Sequence, residues 1–194
     1  VEGEDPGDFQ AGAVADLNTA ISDAEAVAAG TLLFETYNKT MKDLDDAYEA
    51  FNAKLILPED GIYYIMSQSG ADQEERADNS PFASYVYAQS TSTHRDVNAG
   101  LRWGYQNESD IQYHADAIWI LKRGEGNTVT LKNVYTGLYM GNDQENLSGF
   151  VFNSAEPANI GLRFARYEGT FNLVLSDKYF ANTQPSKTDR RLVT

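Results

Sequence analysis

The chain has 194 residues, of which 42% are hydrophobic and 12% aromatic, with 29 acidic against 15 basic side chains, a formal charge of −14 and no cysteine. This apolar content is enough for one folded core, or a core with a small appendage, and argues against general disorder. The charge leaves no cationic face for phosphates, so neither nucleic acid nor anionic lipid is expected as a partner. The missing cysteine removes disulfides, thiolate metal sites and a cysteine nucleophile together.

Residues 1–12 are acidic and rich in turn formers, as in a linker. The acidic excess is concentrated at this end: residues 1–53 carry 12 acidic and two basic side chains, Lys39 and Lys42. Residues 13–55 have helical periodicity. Val14, Leu17, Ala20, Ile21 and Ala24 fall three and four apart on one face, and Gly30 is a natural stop. A second, stronger stripe runs through Leu33, Tyr37, Met41, Leu44, Tyr48, Phe51 and Leu55, with Lys42, Asp43, Asp46 and Glu49 opposite. The short connection predicts an antiparallel helical hairpin that acts as a spacer or cap. The phrases Leu17-Asn-Thr-Ala-Ile-Ser-Asp-Ala-Glu25 and Tyr37-Asn-Lys-Thr-Met-Lys-Asp-Leu-Asp-Asp-Ala-Tyr-Glu-Ala-Phe51 resemble the FIVAR-like helical modules of large bacterial surface proteins. The resemblance covers two of the usual three helices.

Pro58 ends the helical pattern, and residues 56–194 are expected to form an all-β domain, so the fold class is α+β by content. Three stretches there superimpose. Leu57–Met66, Trp119–Leu131 and Phe164–Leu175 each place an apolar strand, a turn at Gly61, Gly126 or Gly169, and an alternating strand. Each is followed by a tyrosine-bearing strand (Tyr85, Tyr139, Tyr179) and then a short strand at Leu101–Tyr105, Gly149–Phe152 or Arg191–Val193. Threefold repetition of short strands fits a β-trefoil with an incomplete third repeat, because the third unit reaches Thr194 before an equivalent of the strands around Trp119 and Phe164 that end the first two units. A β-sandwich is the rival architecture. The phrase Leu131-Lys-Asn-Val-Tyr-Thr-Gly-Leu-Tyr-Met-Gly141 resembles trefoils of the ricin-type lectin and fascin-like kinds. Where such lectins carry Gln-x-Trp, this chain has Ala117-Ile-Trp119 and Leu162-Arg-Phe164, so the resemblance transfers no lectin site residues.

Carbohydrate sites join an aromatic platform for the apolar sugar face to amide and carboxylate groups for the hydroxyls. Trp103, Tyr105, Asn107, Asp110, Gln112 and Tyr113 supply these groups in one stretch, and Tyr135, Asn142 and Asp143 form a second set. Trp103 also suits a barrel core, and Trp119 is expected to be core. The two histidines, His94 and His114, lack any accompanying hydrolase or zinc motif. The Gly141–Asn146 loop has oxygen ligands for Ca²⁺ but not the register of an EF-hand, and a polar turn explains it more simply. Asp72, Glu74, Glu75 and Asp78 are read as a solvated insertion.

The expected function is a non-catalytic, cofactor-free glycan-binding module, with a glycan or polysaccharide as partner. The acidic start at Val1 agrees with a mature or excised piece of a secreted or surface-attached bacterial protein. No apolar run is long enough to span a bilayer, so membrane insertion is not expected. The alternatives are a structural or protein-interaction segment, which binds another protein or adjoining domains of a parent chain, and an accessory part of a polysaccharide-degrading hydrolase.

Overall fold

The computed structural model describes residues 2–30, 33–66, 85–88, 101–104, 111–142, 151–165, 171–175, 178–179, 181–182 and 192–193. Two helices are followed by antiparallel β-structure, an α+β arrangement. The chain divides into two compact units, Val1–Pro58 with Arg163–Phe171 and Glu59–Leu162 with Asn172–Thr194.

In the first unit, helix α1 (Ala13–Ala28) and helix α2 (Phe34–Ala53) pack against each other. Helix α1 begins after Gly12, whose positive φ of 84° has no side chain to strain and none to cap the helix. The capping acceptor comes instead from Glu2, whose Oε1 accepts the Val14 N–H at 2.8 Å. Helix α2 carries ion pairs four residues apart, Lys39–Asp43 at 2.5 Å and Lys42–Asp46. Leu17 and Ala24 on α1 and Leu44 and Phe51 on α2 are half-buried, while Val14, Ile21, Tyr37, Met41 and Tyr48 of the same stripes are exposed.

The acidic segment before α1 is folded against the end of α2. Phe9 bridges Leu55, the Gly7 and Gln10 N–H groups donate to Ile56 and Lys54 carbonyls, and the Ile56 N–H donates to Asp8 O. The physical reason is Phe9, the one large apolar side chain in that segment. It is buried, stacks on Phe51 with ring centroids 3.9 Å apart, and forms a core with Ala13 and Leu55 against which Leu57 and Phe171 pack. The strand expected before Gly61 is absent: residues 57–60 form no strand, and Gly61 opens a strand instead of turning a hairpin.

In the second unit, strands β1 (Gly61–Tyr64), β4 (Ile118–Arg123) and β5 (Thr128–Asn133) pair antiparallel in that order. The sheet continues through β8 (Ile160–Phe164), β9 (Phe171–Leu175) and β10 (Lys178–Tyr179). The same eight-stranded sheet takes in β6 (Tyr139–Asn142), paired with β5, and β7 (Val151–Ser154), paired with β6, while β2 (Tyr85–Ala88) with β3 (Leu101–Gly104) and β11 (Ala181–Asn182) with β12 (Leu192–Val193) form two-stranded antiparallel sheets. The tyrosines aligned from sequence take equivalent pairings. Tyr85 opposes Met66, Tyr139 opposes Lys132, and Tyr179 opposes Val174.

Alternation sets the core. Trp119 and Leu121 on β4, and Val129, Leu131 and Asn133 on β5, are buried while their neighbours are half-buried or exposed. Trp119 is fully buried, as its sequence context predicts, and its Nε1–H donates to Val86 O at 3.1 Å. The β4–β5 hairpin turns at Gly126, whose φ of 59° favours glycine, and the Gly124 N–H closes it on Thr128 O.

Candidate ligand-binding surface

The surface is built from two turns at one end of the β4–β5 pair. The first is Ile111–Ala117. Ile111 is fully buried and anchors it, the His114 N–H donates to Ile111 O, and the Ala117 N–H donates to His114 O, closing a 3₁₀ turn at Ala115–Ala117. This leaves Gln112 exposed and Tyr113 at 83% exposure. His114 Nδ1 lies 3.7 Å from Asp116 Oδ1.

The second turn, Val134–Gly137, leaves the end of β5. Its Gly137 has φ 68°, and its Tyr135 is 60% exposed. Each turn thus presents a hydroxyl-bearing ring to solvent. Such a ring is well suited to a contact with a ligand that is itself half apolar.

Asn133 joins the two turns, and its role was missed in the sequence. Its side chain is fully buried, and Nδ2–H donates to Asp116 O at 2.7 Å and to Ile118 O at 3.3 Å. Its Oδ1 accepts from the backbone N–H groups of Tyr135 (3.1 Å) and Thr136 (3.0 Å) and from Thr136 Oγ1 (3.3 Å). One carboxamide therefore satisfies an acceptor on the first turn and donors on the second, an Asx turn extended into a tertiary clamp. The Val134 N–H adds a bond to Ile118 O at 2.9 Å. The available signal was Asn133-x-x-Thr136-Gly137, a turn signature in which the asparagine sits on the buried face of its strand.

Of the residues singled out from sequence, Gln112, Tyr113 and Tyr135 lie on these two turns. Trp103 is on β3 opposite Val86, and Asn142 ends β6 opposite Val151, so neither is carried by the two turns. Tyr105, Asn107, Asp110 and Asp143 lie outside the described residues, as do His94, the acidic stretch 72–78 and most of the 141–146 loop. Among the described residues no three acidic or histidine side chains are grouped as metal ligands, and no helix is long and apolar enough to cross a membrane.

No protein-family model, curated protein or solved structure matches the chain. The chemistry of the surface is therefore the ground for a functional reading.

Proposed function

We propose that the chain is a non-catalytic glycan-binding module, and that the Ile111–Ala117 and Val134–Gly137 turns form its site. The observation that carries this reading is the pair of exposed rings, Tyr113 and Tyr135, on turns tied together by the buried Asn133 carboxamide. A pyranose presents an apolar C–H face and a rim of hydroxyls. The tyrosine rings take the first, and Gln112, His114, Asp116 and the phenolic hydroxyls bond to the second. A rigid platform also limits the ordering cost of binding, which matters for a ligand whose gross interaction energy is small.

Within the same proposal, the β-strands are three units of a β-trefoil, β1–β4, β5–β8 and β9–β12, the third incomplete because β10 and β11 together take the place of one tyrosine-bearing strand, with β-sandwich as the rival. The recurring pairings at Tyr85, Tyr139 and Tyr179 support it. Such a module suits an exported or surface-attached bacterial protein, where polysaccharide is the surrounding material.

The test is a glycan array and titration series on plant, host and microbial polysaccharides with the wild-type chain, Tyr113→Ala and Tyr135→Ala. The expected result is saturable binding to a defined glycan class, weakened about tenfold or more by either substitution, since an aromatic contact contributes on the order of 1 kcal/mol beyond its burial. Absence of saturable binding across the series, or binding indifferent to both tyrosines, would overturn the proposal.

A further inference from the structure

The helical unit carries an apolar groove that its own packing leaves open. The groove has a volume of about 300 Å³ and is walled by Ile21, Ala24 and Val27 from α1 and Tyr37, Met41 and Leu44 from α2. Its margins stay wet: Ile21 is 38% exposed, Tyr37 49% and Met41 41%, and Tyr48 continues the same row at 52%. These residues recur three, four and seven apart. A surface helix ordinarily buries such a stripe.

Charge decides which occupant fits. Residues 1–53 carry 12 acidic side chains and two lysines, and both lysines are engaged by acids of their own helix, Lys39 by Asp43 and Lys42 by Asp46. Glu25 lines the groove. Asp45 lies beside the apolar row, four residues after Met41 and three before Tyr48, and neither acid has a salt-bridge partner among the described residues. An acidic rim of this kind repels a second copy of the same surface and repels anionic lipid. It attracts a cationic segment. We propose that this groove docks an amphipathic helix of a partner protein, with its apolar stripe in the groove and flanking Lys or Arg residues toward Glu25 and Asp45. This inference uses none of the residues of the glycan-binding reading and stands independently of it.

The test is a fluorescence-anisotropy titration of the full chain with three labelled amphipathic peptides of about 18 residues, long enough for five helical turns. One has an apolar stripe with Lys and Arg flanks, one has the same stripe with Glu flanks, and one is a scramble of the basic peptide without the stripe. The basic amphipathic peptide is expected to bind saturably and at least about tenfold more tightly than either control. Met41→Asp discriminates further. It adds negative charge, so attraction that is only electrostatic rises, whereas docking in the groove falls about tenfold. Far-UV circular dichroism of this variant, together with the milder Ile21→Ser, checks that the hairpin remains folded. Equal binding of the scrambled peptide would overturn the proposal, as would unchanged affinity in a folded Met41→Asp or Ile21→Ser chain, or concentration-dependent self-association that Met41→Asp abolishes.

Discussion

At the scale of single residues, Asn133 does the most with the fewest atoms. Its carboxamide makes five hydrogen bonds in a fully buried position, to the backbone of both site turns and to Thr136. Alanine there strands the Asp116 carbonyl and two N–H groups, while Ile118 O keeps the Val134 N–H. Asn133→Ala is expected to cost about 2–4 kcal/mol, read as a drop in the denaturation midpoint, and to weaken glycan binding with it. Trp119→Phe keeps most of the apolar volume but leaves Val86 O without its indole donor, an expected loss of about 1–3 kcal/mol. Glu2 gives a pH signature. The Val14 and Gly12 backbone N–H groups hold its carboxyl below the ordinary value of 4.5. A depressed folded pKa means that its stabilisation is present above the unfolded value and fades as pH falls through the folded one. Helical circular dichroism followed between neutral and acidic pH should therefore show an acid-side loss that Glu2→Gln removes.

Among the elements, the helices were legible because periodicity is a local property. Val14, Leu17, Ala20, Ile21 and Ala24 with the stop at Gly30 marked α1, and the Leu33–Leu55 stripe marked α2, to within a residue or two of Ala13–Ala28 and Phe34–Ala53. The hairpin turn at Gly126 and the buried Trp119 were legible for similar reasons, as a positive-φ turn glycine and an alternating strand. The strap at residues 2–10 was not. Its composition is that of a linker, and only the placement of Phe9 against Phe51 and Leu55 shows that one aromatic outweighs four carboxylates. Phe9→Ala is expected to cost about 3–5 kcal/mol in the helical unit, measured by thermal loss of the helix signal, while the β-sheet signal changes little. The Asn133 clamp was hidden because its partners lie 15 to 17 residues away in sequence. Of the carbohydrate-site residues chosen from composition, Gln112, Tyr113 and Tyr135 fall on the two clamped turns. Trp103 and Asn142 fall on other strands, since pairing register and not proximity in sequence decides which side chains share a surface.

For the whole molecule, two properties set the expected behaviour. The first is the charge of −14, concentrated before residue 54. Self-repulsion among those acids is screened by salt. The melting temperature of the helical signal is expected to rise as NaCl goes from about 10 mM to about 300 mM, where the Debye length falls well below 10 Å. A fall over that range would mean that the surface ion pairs outweigh the repulsion. The second property is the surface held by Asn133, on which the proposal rests that two turns act as one glycan site. The most direct measurement is backbone amide NMR during titration with the glycan that binds best in the array. Gln112–Asp116 and Val134–Gly137 are expected to shift together with one shared dissociation constant, and Asn133→Ala to disperse both. Shifts confined to one turn, or centred elsewhere on the β unit, would contradict it.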